Sequence, residues 1–239
     1  MKSNILLFVF FLLFSHLSFG QTIGDTNELQ WDYPIKPGTP EWAAFKTGKE
    51  KYDACQIPLD VLNNMSTKEL ARVCLNYPLF ITYQAYNDER SGVNILIKNF
   101  NGLWELSQRK DGMQELVKVY AEYPIFTRFE EDKIAIICKL LFLELVLSDN
   151  LFLSQLNHKQ LQEFKAIVIT KYAAKLQNLE VYHLFHIKKT MLLAAIIIDR
   201  QNHIEKTTQQ QEHLKNFIKS YERCDASLVT EVSKIIVEL

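Results

Sequence analysis

The residue types best placed for chemistry are two histidines. His183-Leu184-Phe185-His186 sets two imidazoles three residues apart, which is about 60° around a helix and suits two ligands of one zinc ion. A complete site needs at least one more ligand. Glu180, His158, His203 and Asp199 are all of the right type, and no His-Glu-x-x-His pattern selects among them. Val181, Leu184, Phe185 and Leu192 read as the buried stripe of this segment, which turns His183 and His186 toward solvent or a groove. The plainer reading is a surface pair, so His183 and His186 stand as metal candidates and no metal or cofactor is assigned.

Three tripeptide-scale strings invite a penicillin-recognising serine enzyme: Lys46-Thr47-Gly48, Ser107-Gln108-Arg109-Lys110 and Ser148-Asp149-Asn150. In those enzymes the serine box comes first and the Lys-Thr-Gly string lies last, on a strand. Here the Lys-Thr-Gly string comes first and the pattern around Lys46 is helical. Asp88-Glu89-Arg90 and Glu130-Glu131-Asp132 could supply paired carboxylates for sugar cleavage. They fit the first turns of helices better, where carboxylates complement the macrodipole, and any carboxylate-rich protein offers such pairs. No cysteine has a histidine within a few residues, as an activated thiolate would need. Gly-rich phosphate loops and EF-hand loops are absent. No catalytic residue is therefore assigned.

The four cysteines are Cys55, Cys74, Cys138 and Cys224. Their redox setting follows from the first twenty residues, which read as a secretory signal. Lys2 supplies its positive end, residues 5–14 (ILLFVFFLLF) its apolar stretch, and Ser18 and Gly20 the small residues before a cut. Cleavage after Gly20 makes Gln21 the expected new N-terminus, and the apolar stretch is too short for a membrane span. The expected location is secreted or periplasmic. An oxidising compartment permits disulfides, and Cys55 with Cys74 is the close pair and the disulfide candidate; two reduced, buried thiols are the competing picture. The formal net charge is −1, without the basic excess that phosphate backbones demand, so nucleic acid is not an expected partner.

The elements that must carry these side chains are helices. Only 7 glycines and 6 prolines occur in 239 residues, fewer breakers than strand-and-turn proteins use. Apolar spacing is helical almost throughout, and no bounded alternating run marks a strand. Residues 21–38 read as an extended arm bearing Trp31, Tyr33 and prolines, and residues 39–239 as one all-helical domain. Thr39 and Pro40 open a helix running to about Ala54, and Ser66-Thr67-Lys68-Glu69 opens one to Tyr77. Others are expected at about 89–108, 112–123, 129–148, 157–176, 179–200, 208–222 and 226–238. The apolar runs at 134–147 and 191–198 are too short for transmembrane spans and read as buried core helices. Ser66 reads as a helix cap rather than as part of the glycosylation sequon Asn64-Met65-Ser66.

One internal similarity stands out. Residues 69–80 (ELARVCLNYPLF) match residues 115–126 (ELVKVYAEYPIF) at six identical positions with an offset of 46, a period typical of helical-pair repeats. The expected architecture is accordingly all-α, with stacked antiparallel helix pairs, in the manner of a short α-solenoid. Each pair of such a stack buries its apolar face on its neighbours, and the end pairs need covers. The aromatic arm could cover the first.

Several segments also carry a family resemblance. Trp31-Asp32-Tyr33-Pro34-Ile35-Lys36-Pro37-Gly38-Thr39-Pro40-Glu41-Trp42, Ala54-Cys55-Gln56-Ile57-Pro58 and Val73-Cys74-Leu75-Asn76-Tyr77-Pro78 lead it, with Phe100-Asn101-Gly102-Leu103 and Arg109-Lys110-Asp111 beyond. Over roughly residues 30–120 the chain resembles an uncharacterised family of secreted bacterial proteins with such an arm. The resemblance implies the bacterial envelope or exterior and supplies no catalytic residues. The expected function is a non-enzymatic helical interaction protein that binds a protein or peptide, because stacked helices build extended surfaces. The alternative is a helical hydrolase or glycan-binding protein, with a groove near His183 and His186 or the Trp31, Tyr33 and Trp42 aromatics.

Overall fold

The computed structural model describes residues 31–201 and 204–238. The expected signal segment and its cut, residues 21–30 of the arm, and His203 lie outside them. Among the described residues there are thirteen α-helices, two 3-10 turns and no strand. The chain is all-α.

Residues 31–38 are non-helical and lie on the first half of the molecule. The Trp31 backbone N–H donates to Glu69 and the Tyr33 hydroxyl to the Val73 carbonyl at 3.2 Å. Gly38 closes this stretch at φ 93°, a backbone region that favours glycine. The expected helix over 40–54 is two helices, α1 (Pro40–Ala44) and α2 (Gly48–Ala54). Thr47 interrupts it because its side chain and that of Glu50 form a reciprocal capping box. Two short helices were not foreseen: α3 (Leu59–Asn64), and α9 (Asn150–Leu153), which starts on the Asp149 side chain.

α4 (Thr67–Leu75) is capped by Ser66 as expected. The expected helix at 89–108 is again two, α5 (Glu89–Asn99) and α6 (Asn101–Gln108), bent at Phe100. The bend is pinned from outside. Asn101 accepts from the Ile57 N–H at 3.0 Å and donates to the Ile57 carbonyl at 2.7 Å, pairing like a strand residue with the segment before Pro58. α7 (Gly112–Glu122) follows so tightly that a Cβ on Gly112 would sit 2.0 Å from the Leu106 carbonyl oxygen. Only glycine allows this turn.

α4, α6 and α7 pack on one another, and α5 packs on α6 and on the 3-10 turn Phe80–Ala85. The second half consists of α10 (His158–Leu176), α11 (Leu184–Arg200), α12 (Thr208–Ser220) and α13 (Ala226–Glu238). Here α11 is the centre, touching α10, α12 and α13. Between the halves runs α8 (Ile134–Leu147), which contacts α5 and α7 on one side and α11 on the other. Ten of its residues are buried, so it is apolar all round because it has no solvent face.

The two Tyr-Pro stops share a device. Asn76 at the end of α4 accepts from Lys139 of α8 at 2.6 Å, and the Tyr123 carbonyl at the end of α7 accepts from Lys171 of α10. Each stop thus receives a lysine from a later helix, placed where the macrodipole favours a cation. Beyond the stops the copies differ: the first enters a 3-10 turn, the second a non-helical segment.

Candidate site at the corner of α10 and α11

The chemistry-bearing strings of the sequence are scattered through the helices. Thr47 is an N-cap, Ser107 is buried in α6 with its hydroxyl on the Trp104 carbonyl, and Ser148 and Asp149 end α8 and start α9. Cys55 and Cys74 are free thiols with no exposed surface, and burial pushes the Cys55 thiol up to about 12. Tyr33 and Trp31 pack edge to face at 4.8 Å with Tyr33 in the core, so these aromatics face inward rather than lining a groove.

What the fold does bring together is a set of buried charges around α11. Glu144 of α8 and Lys175 of α10 are wholly buried and paired, with the ammonium 2.8 and 2.9 Å from the two carboxylate oxygens. Thr190 of α11 accepts from Lys175 at 2.8 Å and donates to Glu144 at 2.8 Å. The Tyr120 hydroxyl of α7 donates to the same carboxylate at 3.0 Å. Four helices therefore meet in one satisfied polar cluster, the only condition under which buried charge is tolerable. Burial lowers the Lys175 ammonium and Glu144 opposes that shift.

A second pair lies one residue before Thr190. Lys189 of α11 is wholly buried, 2.8 Å from Glu89 at the start of α5. Glu89 also accepts from the Tyr221 hydroxyl at 3.0 Å, and Tyr221 reaches Glu222 as well. The Lys189 ammonium lies 3.3 Å from the centroid of the Phe185 ring. Phe185 is itself more than half exposed, as are Leu179 and Leu184, and Leu176 is exposed to a lesser degree. The turn between α10 and α11 thus presents an apolar corner on top of buried ion pairs.

The histidines sit in this corner, differently from expectation. The helix starts at Leu184 rather than near 179, so His183 is its N-cap residue and lies outside the helical spacing. The stripe changes accordingly: Val181 and Leu192 are buried, Leu184 and Phe185 are exposed, and His186 is half-buried. The two rings are 5.9 Å apart. Among the described residues no three metal-binding side chains converge, and the charged neighbours of His186 are Lys175 and Lys189, which repel a cation. His186 Nδ1 is enclosed without a hydrogen-bond partner among the described residues. Burial, then Lys175, Lys189 and His183, push its imidazole down to about 4.

In the sequence Glu144 stands as a charge inside the apolar run 134–147, and Glu89 as a carboxylate suited to a helix start. The available signal was the misfit itself: a carboxylate within the run LLFLELVL (residues 140–147) requires a cation from another element. Which lysine answers it is set by tertiary packing. No family model, curated protein or solved structure matches this chain.

Proposed function

We propose that this chain is a non-enzymatic interaction protein of the bacterial envelope or exterior, binding a protein or peptide partner at the corner of α10 and α11. The observation that carries the reading is the exposed group Leu179, Leu184 and Phe185 on a rigid base. An exposed Phe normally loses side-chain freedom when it is bound. Here the ring already rests on the buried Lys189 ammonium, so ordering it costs less, which is the advantage of a preorganised anchor. The signal-like N-terminus and the resemblance of residues 30–120 support the location.

The hydrolase alternative gains nothing from His186. A general base there would need a substrate-facing carboxylate or an imidazole poised near neutrality, whereas His186 is held well below it among lysines.

The test is site-specific photo-cross-linking in the exporting bacterium. A photoreactive residue replacing Leu184 should give a discrete adduct that disappears with Phe185→Ser. The same residue replacing Leu59, exposed on α3, should give none. Identical patterns from both positions, or no adduct from Leu184, would refute the corner as the docking surface.

A further inference from the structure

The corner holds a half-buried histidine whose surroundings mostly oppose charge. His186 stands in the first turn of α11, where a helix N-terminus disfavours a cation. Its Nδ1 is enclosed without a hydrogen-bond partner among the described residues. The ring of the N-cap residue His183 lies 5.9 Å away and Lys189 follows three residues on, while Lys175 of α10 adds to the repulsion. The carboxylates nearby are already engaged. Glu144 of α8 is held by Lys175, Thr190 and Tyr120, and Glu89 of α5 by Lys189 and Tyr221. Beyond α12, Glu222 is held by Tyr221 while its carbonyl takes Lys188. α13 contributes the buried apolar residues Val232, Ile235 and Ile236. A contact with the Val181 backbone is all that favours the protonated ring.

We propose that His186 is an acid-operated release for this corner: a proton taken from solvent by its ring expels the ring from its enclosed place and opens the first turn of α11. The consequence for Phe185 is direct, because it neighbours His186 and rests on Lys189. When the turn opens, the ring leaves the ammonium and the preorganised anchor is lost. The direction follows from linkage. A base lowered on folding from its ordinary 6.5 to about 4 takes up its proton more readily when the corner is open, so acid favours opening across that window. Above 6.5 the contribution of this group to closing is at its full value. As regulation of docking this rests on the function proposed above; as a structural event it does not, and it is measured without a partner.

Hydrogen exchange followed by mass spectrometry, corrected for the intrinsic pH dependence of exchange, tests it on the whole mature chain. Between pH 6.5 and 4 the opening equilibrium of residues 183–188 should grow on the order of a hundredfold, since one proton contributes at most tenfold per pH unit. Protection of α8 should persist. His186→Phe, which keeps a ring and removes the titration, should abolish the growth. Protection retained to pH 4, loss in step with α8, or equal loss in His186→Phe would each overturn the proposal, the last by assigning the effect to a group other than His186. Should that variant fail to fold, an NMR titration of His186 in the parent decides: a midpoint near 6.5 refutes the release, and one near 4 coinciding with opening supports it.

Discussion

At the residue scale, the most consequential group is Glu144, whose oxygens gather Lys175, Thr190 and Tyr120 within 3.0 Å. Removing either charged member leaves the other as an uncompensated buried charge. Lys175→Met is expected to cost about 3–5 kcal/mol, whereas Lys175→Met combined with Glu144→Leu should recover much of it, because the pair's own attraction is largely offset by desolvation. Urea unfolding of the three variants followed by circular dichroism checks both halves of this. Glu144 was visible in the sequence as a charge inside an apolar run, and His186 as half of a histidine pair. What could not be read was their company: Lys175 and Lys189 lie 31 and 100 residues from the partners they hold, and no local pattern encodes pairings at that distance. The assignment of Leu184 and Phe185 to the core failed for a smaller reason, a helix start displaced to Leu184.

At the element scale, helix identity was legible and helix continuity was not. The spacing that announced α4, α7, α10 and α13 is one face of apolar residues bounded by caps and prolines. The splits at Thr47 and Phe100 depend on side-chain-to-backbone pairings, one local and one with Ile57. The Tyr-Pro stops test the repeat. Tyr77 is wholly buried and stacks on Phe100 at 4.0 Å, and Tyr123 is buried at the end of α7. Tyr77→Ala and Tyr123→Ala should each destabilise by about 3 kcal/mol in thermal or urea unfolding; parental stability in both would make the 46-residue similarity an accident. Gly112→Ala meets the Leu106 carbonyl at contact no real Cβ tolerates. It should cost roughly 1–3 kcal/mol as the α6–α7 turn is forced apart, measured in the same way.

At the scale of the whole molecule, the all-α class followed from the scarcity of Gly and Pro and from the helical period. Circular dichroism of residues 21–239 should accordingly show helix well above the usual one third. The order of the layers followed from none of this, because it depends on α8 having two apolar sides to satisfy. That feature makes the chain difficult to divide. α8 lies against α5 and α7 on one side and α11 on the other, so neither half alone can shelter residues 134–147 from water. Cutting the covalent chain is another matter. Residues 127–132 are exposed and non-helical but for the last two, an accessible site for a protease. A nick there should leave two fragments that travel together through a sizing column and part only in denaturant. The two pieces would behave as a complementing pair, offering a place to split the protein into halves that reassemble into a reporter of their own meeting.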